Sequence, residues 1–112
     1  MPTILPTDEN NHPIPALRLR DGGAHKINVT AVSARNAIAF DADTRVVSLY
    51  ATIGVYVRFG VNTVTATNTD HYFPAGTYYD IAIGGEEAKQ TNYVSVIRAD
   101  STDGILYVSE KI

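Results

Sequence analysis

The stretch RVVSLYATIGVYVRFGVNTVTATNTDHYFPAGTYYDIAI, residues 45–83, decides the fold. It holds three apolar runs of β character, Val46–Ala51, Ile53–Phe59 and Tyr78–Ile83. Side chains alternate across a strand, so Val47, Leu49 and Ala51 share one face, and Val55, Val57 and Phe59 share another. Tyr56 and Arg58 then point away from Val55 and Val57, and Tyr78 points away from Tyr79, Ile81 and Ile83. Thr52–Gly54 reads as a tight connection and Gly60-Val61-Asn62 as a turn. Pro74-Ala75-Gly76 is a turn in which proline supplies a fixed φ and glycine a positive one. Thr63–Thr67 reads as a short extra strand, with Asn68–His71 continuing the loop.

The same period continues on both sides. In His25–Val32, Ile27, Val29 and Ala31 fall on one face, with Lys26, Asn28 and Thr30 on the other. Asn36–Phe40 reads as a second short strand, and Asp41-Ala42-Asp43 as a turn, because aspartate bonds its own backbone. Gly84–Gln90 is a polar loop, Tyr93–Ala99 another strand, Asp100–Gly104 a turn and Ile105–Ser109 the last strand. No segment carries an apolar stripe of helical period over three turns. Short strands about ten residues apart with turns between them predict an all-β fold, an antiparallel β-sandwich or a small jelly-roll-like barrel.

Residues 1–24 differ from the rest. They contain four of the five prolines, Pro2, Pro6, Pro13 and Pro15, and end in Asp21-Gly22-Gly23. Proline removes a backbone donor and biases its predecessor to extended geometry, so neither a helix nor a central strand fits. A disordered tail and an ordered extended arm compete here, and Ile4, Leu5, Ile14, Leu17 and Leu19 give the stretch apolar anchors that favour the arm. The division read from the sequence is an arm over 1–24 and a β-sandwich over 25–112.

Composition narrows the function classes. The chain has 112 residues, 45% of them hydrophobic and 19% charged, the proportions of one globular domain. Its formal net charge is −3, and its nine Lys and Arg are scattered. There is no basic stripe of the kind that tracks a phosphate backbone, so no nucleic-acid partner is expected. The chain has no cysteine, which excludes disulfides and thiolate metal sites. MPTILPTDENN lacks the basic and apolar regions of a signal peptide, and no apolar run approaches a membrane span of about 20 residues. The expectation is a soluble protein with no membrane partner.

Catalytic and metal-binding patterns are missing. His12, His25 and His71 lie far apart and suit surface or capping positions better than a metal site. Asp41 with Asp43, and Asp100 with Asp103, imitate short acidic metal motifs but sit where turn aspartates belong. Ser33, Ser48, Ser95, Ser101 and Ser109 lack a strained nucleophile elbow, and neither diglycine precedes a helix that could cradle phosphate. No enzyme, cofactor or metal is expected. The tyrosines stand out, with seven of them and no tryptophan. Outward Tyr56 and Tyr78 cover a neighbouring segment, meet another protein or stack on sugar; the absence of tryptophan favours protein. Arg58 shares the face of Tyr56 and would anchor such a contact.

One string of motifs goes further. It runs Val57-Arg58-Phe59-Gly60, Thr65-Ala66-Thr67 with Asp70, Phe73-Pro74-Ala75-Gly76, Val94-Ser95-Val96-Ile97 and Gly104-Ile105-Leu106-Tyr107-Val108-Ser109-Glu110. It resembles a family of small β-proteins from tailed phages and prophages. The likeness covers residues 45–112, and Pro13–Arg18 fits the same setting. The resemblance implies a virion component of β-sandwich or jelly-roll type with no catalytic residues. Within that setting the expectation is a capsid decoration, or cement, protein on the exterior of the head, made in the host cytoplasm. Its partners would be the major capsid protein and itself, as a homodimer or homotrimer. Ile4, Leu5, Ile14, Leu17, Arg18 and Arg20 of the arm, and Tyr56, Arg58 and Tyr78 of the sandwich, are the candidate interface residues. The alternatives are the base or adaptor of a head or tail fibre, and a carbohydrate-binding sandwich using Tyr56, Tyr72 and Tyr78.

Overall fold

The computed structural model describes residues 9–12, 18–84 and 90–111. Ile4, Leu5, Ile14 and Leu17 lie outside the described residues. Eight strands follow one another: β1 (Leu19–Val29), β2 (Ala34–Arg35), β3 (Val46–Ala51), β4 (Val55–Gly60), β5 (His71–Phe73), β6 (Tyr78–Ala82), β7 (Tyr93–Arg98) and β8 (Gly104–Lys111). They form two antiparallel sheets, ordered β1-β8-β3-β6 and β2-β7-β4-β5. Within these orders β1 pairs with β8, β2 with β7, β3 with β6 and β4 with β5. The chain is thus one long ribbon doubled at the β4–β5 connection and rolled up, which is the jelly-roll form of the β-sandwich.

Alternation explains the core. Ile27, Val29, Val47, Leu49, Leu106 and Val108 point inward from the first sheet. Val55, Val57, Val94 and Val96 meet them from the second, and Phe40, Ala51 and Ile83 close the ends. These side chains are at most 4% exposed, so β-branched and leucine side chains interdigitate over the roughly 10 Å between sheets.

Three sequence expectations are corrected. First, the sheet begins at Leu19, so residues 19–24 belong to β1 and not to an arm ending at 24. A register shift between Leu19 and Ala24 absorbs Asp21-Gly22-Gly23. Gly22 supplies the positive φ of 75° this bulge uses, and Gly23 packs so closely that a Cβ would lie 2.9 Å from Glu110 Cβ. Second, β2 stops at Arg35, and the strand expected over 36–40 is irregular. The buried Asn36 side chain takes over from the backbone there: Oδ1 accepts from Val94 N at 2.9 Å, and Nδ2 donates to Ile38 O at 2.6 Å.

Third, Thr63–Thr67 is not a strand, while His71–Phe73, read as loop and turn, is β5. Val64 and Ala66 bury themselves, but among the described residues no neighbouring strand pairs with their backbone. Side chains serve instead: Ser33 Oγ accepts from Ala66 N at 2.9 Å, and Arg35 Nη1 donates to Val64 O at 3.0 Å. The tight connection read at Thr52–Gly54 lies between β3 and β4. It carries the chain from the first sheet to the second, and it is held on both sides. Thr52 N donates to Ile105 O at 3.0 Å, and Ala99 N donates to Gly54 O at 2.9 Å.

Candidate functional site

The register places side chains that the sequence could sort only by parity. On the outer face of the first sheet, Lys26 pairs with Tyr107, Tyr107 with Tyr50 and Tyr50 with Tyr78. One row therefore crosses all four strands, with a lysine on the β1 edge and three tyrosines behind it. The Tyr50 and Tyr78 rings are 4.8 Å apart and tilted by 42°, within the range of favourable aromatic pairs. Tyr78 is 73% exposed and Tyr107 42%, and Leu19, 70% exposed, lies on the same face at the end of β1. Below the row, Lys111 Nζ donates to Asp80 Oδ1 at 2.8 Å, so that acid is matched within the sheet.

Tyr56 and Arg58 occupy the other side of the molecule. Tyr56 on β4 lies between Ile97 on β7 and Tyr72 on β5, and its ring is 5.7 Å from that of Tyr72. One row along, Arg58 aligns with Ser95, and Ser95 with Arg35. Ser95 is fully buried in this row and donates its hydroxyl to Arg58 O at 3.1 Å. Arg58 itself is exposed and lines a shallow cleft with Val61, Thr63, Val64 and Thr65. Tyr56 and Tyr78 thus belong to opposite outer faces, and Tyr56, Tyr72 and Tyr78 cannot make one sugar-stacking platform. Tyr50, Tyr107 and Lys26 are the members of the first-sheet row that the sequence reading missed. Their outward parity was legible, but their common level follows only from the strand register.

A third surface lies between the sheet edges. β6 ends the first sheet and β5 the second, and between them Val57, Phe59, His71, Phe73, Tyr79 and Ile81 line an apolar cleft of about 540 Å3. Phe73 and Tyr79 bridge it, their rings edge to face at 4.8 Å.

Of the two described arm candidates, Arg18 is exposed just before β1, while Arg20 turns inward. Arg20 Nη2 donates to Asp41 Oδ2 at 3.2 Å, and Nη1 to Glu110 Oε2 at 3.4 Å. Glu110 follows Leu106 and Val108 on the inward side of β8 and is 1% exposed. Its Oε1 accepts from Thr44 Oγ1 at 2.6 Å and Asp41 N at 2.7 Å, and its Oε2 lies 2.8 Å from His25 Nε2. Burial alone would raise its pKa, but the bonds from Thr44, His25 and the Asp41 amide, with the charge of Arg20, outweigh it and hold the carboxyl below its ordinary value. A carboxylate so engaged ties β8, β1 and the 41–44 turn together and has little left to offer a substrate.

Three of the turn aspartates are occupied as well. Asp41 Oδ1 accepts from Asp43 N at 2.9 Å, closing the expected turn. Asp100 Oδ2 accepts from Gly54 N at 3.2 Å, and Asp103 pairs with Arg98 at 2.6 Å. Among the described residues, no group of three His, Cys, Asp or Glu side chains is placed to hold a metal ion. No protein family, characterised protein or solved structure matches the chain.

Proposed function

We propose that this chain is a non-enzymatic structural protein of a phage particle, a capsid decoration protein that binds the outer surface of the head. Two supports differ in kind. The motif string through residues 45–112 resembles that of small phage β-proteins. The observation that carries the contact role is the outer face of the second sheet, where the Tyr56 and Tyr72 rings lie 5.7 Å apart beside exposed Arg58. Tyrosine offers a large, stiff contact area with few rotamers to lose, and it is enriched where proteins meet.

The physical task suits such a module. A shell under internal pressure gains strength when a small protein buries surface across its seams. About 1,600 Å2 per contact, repeated over many copies, is enough without tight individual binding. The test is to incubate purified protein with particles that lack it, pellet them, and map the bound density. Stoichiometric binding over the head supports the reading. Density confined to the tail or to a fibre base, or no binding at all, overturns it.

A further inference from the structure

We propose that the outer face of the β1-β8-β3-β6 sheet is a two-fold interface between copies of this chain, with the axis parallel to the strands and midway between β8 and β3. This deepens the homo-oligomer part of the preceding reading, and it rests on the order and register of one sheet. A two-fold placed there reverses the strand order and preserves the rows. β1 then lies over the partner's β6, and β8 over the partner's β3. Within the tyrosine row, Lys26 comes to lie over the partner's Tyr78, and Tyr107 over the partner's Tyr50. By symmetry each contact occurs twice.

The row is complementary to itself in this arrangement. A lysine ammonium over a tyrosine face is a cation–π contact, and the two lysines sit at opposite edges of the interface. The competing axis, perpendicular to the strands and along the row, would stack Lys26 on its own copy and bring like charges together. Packed sheets cross at about 30°, and the row is short enough to keep its pairs in reach under that rotation.

Size and composition agree. Four strands about 4.8 Å apart and an eight-residue β8 give a footprint of roughly 19 by 27 Å. With the relief of its side chains, that approaches the scale of about 800 Å2 that each partner contributes to a standard interface. Leu19, Tyr78 and Tyr107, three of the seven large apolar side chains left exposed on the described surface, lie on this face.

The chain has no cysteine, so introduced thiols report cleanly. The full chain should sediment as a dimer at micromolar concentration. Lys26→Glu and Tyr78→Ala should each weaken that dimer by roughly tenfold or more while the variants stay folded by circular dichroism, since both side chains are exposed. A double variant, Ala24→Cys with Asp80→Cys, which the Ala24–Ser109–Ser48–Asp80 row brings over one another across the axis, treated with a short bismaleimide should give a covalent dimer on a denaturing gel. Within one copy these positions are three strands apart, about 14 Å, and cross-linking between copies alone changes the mass. Either single cysteine, or Tyr72→Cys on the opposite sheet, should stay monomeric on the gel. A wild-type monomer, a trimer, or a dimer untouched by both substitutions overturns the inference. A monomer that still coats capsids would do so while leaving the proposed function standing.

Discussion

Glu110 is an acid on the inward side of a strand, and its partners explain why it is tolerated. Removing the charge of a buried, fully bonded carboxylate leaves Thr44, His25 and the Asp41 amide facing a neutral amide and Arg20 paired with Asp41 alone. Glu110→Gln should therefore cost about 3 kcal/mol in urea unfolding. The pH dependence follows from the direction of the shift. The folded-state pKa lies below the ordinary value of 4.5, so between the two the unfolded chain binds more protons. The contribution of Glu110 is whole above the ordinary value and is lost as pH falls from there through the lowered one. Midpoints measured from pH 7 downward should show this loss in the wild type and not in Glu110→Gln. Parity along Leu106-Val108-Glu110 signalled an inward acid in the sequence alone. Its partners could not be read there, because Thr44 and His25 are 66 and 85 residues away.

At the scale of elements, the sequence resolved strands wherever both alternation and a partner existed. β3, β4, β6, β7 and β8 all lie within runs legible from their spacing, with ends moved by a few residues. The errors fall where alternation persists without a backbone partner. Residues 36–40 and 63–67 carry strand-like side chains, yet beside single backbone bonds at Phe40 and Val64 they rely on side chains, Asn36 for Val94 N, and Ser33 and Arg35 for Ala66 and Val64. Conversely, β5 is only three residues long and was masked by the proline turn behind it. Asn36 therefore acts as a substitute for a strand edge. Asn36→Ala should cost about 2 kcal/mol, because it leaves the buried Val94 amide without an acceptor. A urea midpoint checks this, and Asn36→Asp should not recover the loss, because it keeps the acceptor but sets a buried carboxylate oxygen against Ile38 O. The candidate site was half legible for the same reason: period two placed Tyr56, Arg58 and Tyr78 outward, but which sheet each belonged to depended on the crossing at Thr52–Gly54.

At the scale of the whole molecule, the boundary between arm and sandwich becomes testable. Removing residues 1–17 keeps β1, the bulge and the Arg20–Glu110 pair. Removing residues 1–22 takes away the start of β1 and the cation beside Glu110. The first deletion should leave the thermal midpoint within a degree or two, and the second should lower it by several degrees, as 1–2 kcal/mol does in a domain of this size. Equal midpoints for the two would show that the bulged start of β1 contributes nothing.

The rolled ribbon also sets an order of events. β8 sits between β1 and β3 in one sheet, and β7 sits between β2 and β4 in the other. During synthesis β1 and β2 emerge first and find no neighbour, because the strand each must pair with comes near the end. Only the β3–β6 and β4–β5 pairs can close early, as two separate ribbons with exposed edges. Both sheets stay split down the middle until residues 93–111 arrive and enter them as wedges. Neither sheet can close before then, and any interruption before Tyr93 leaves two unfinished sheets with unpaired edges, open to aggregation.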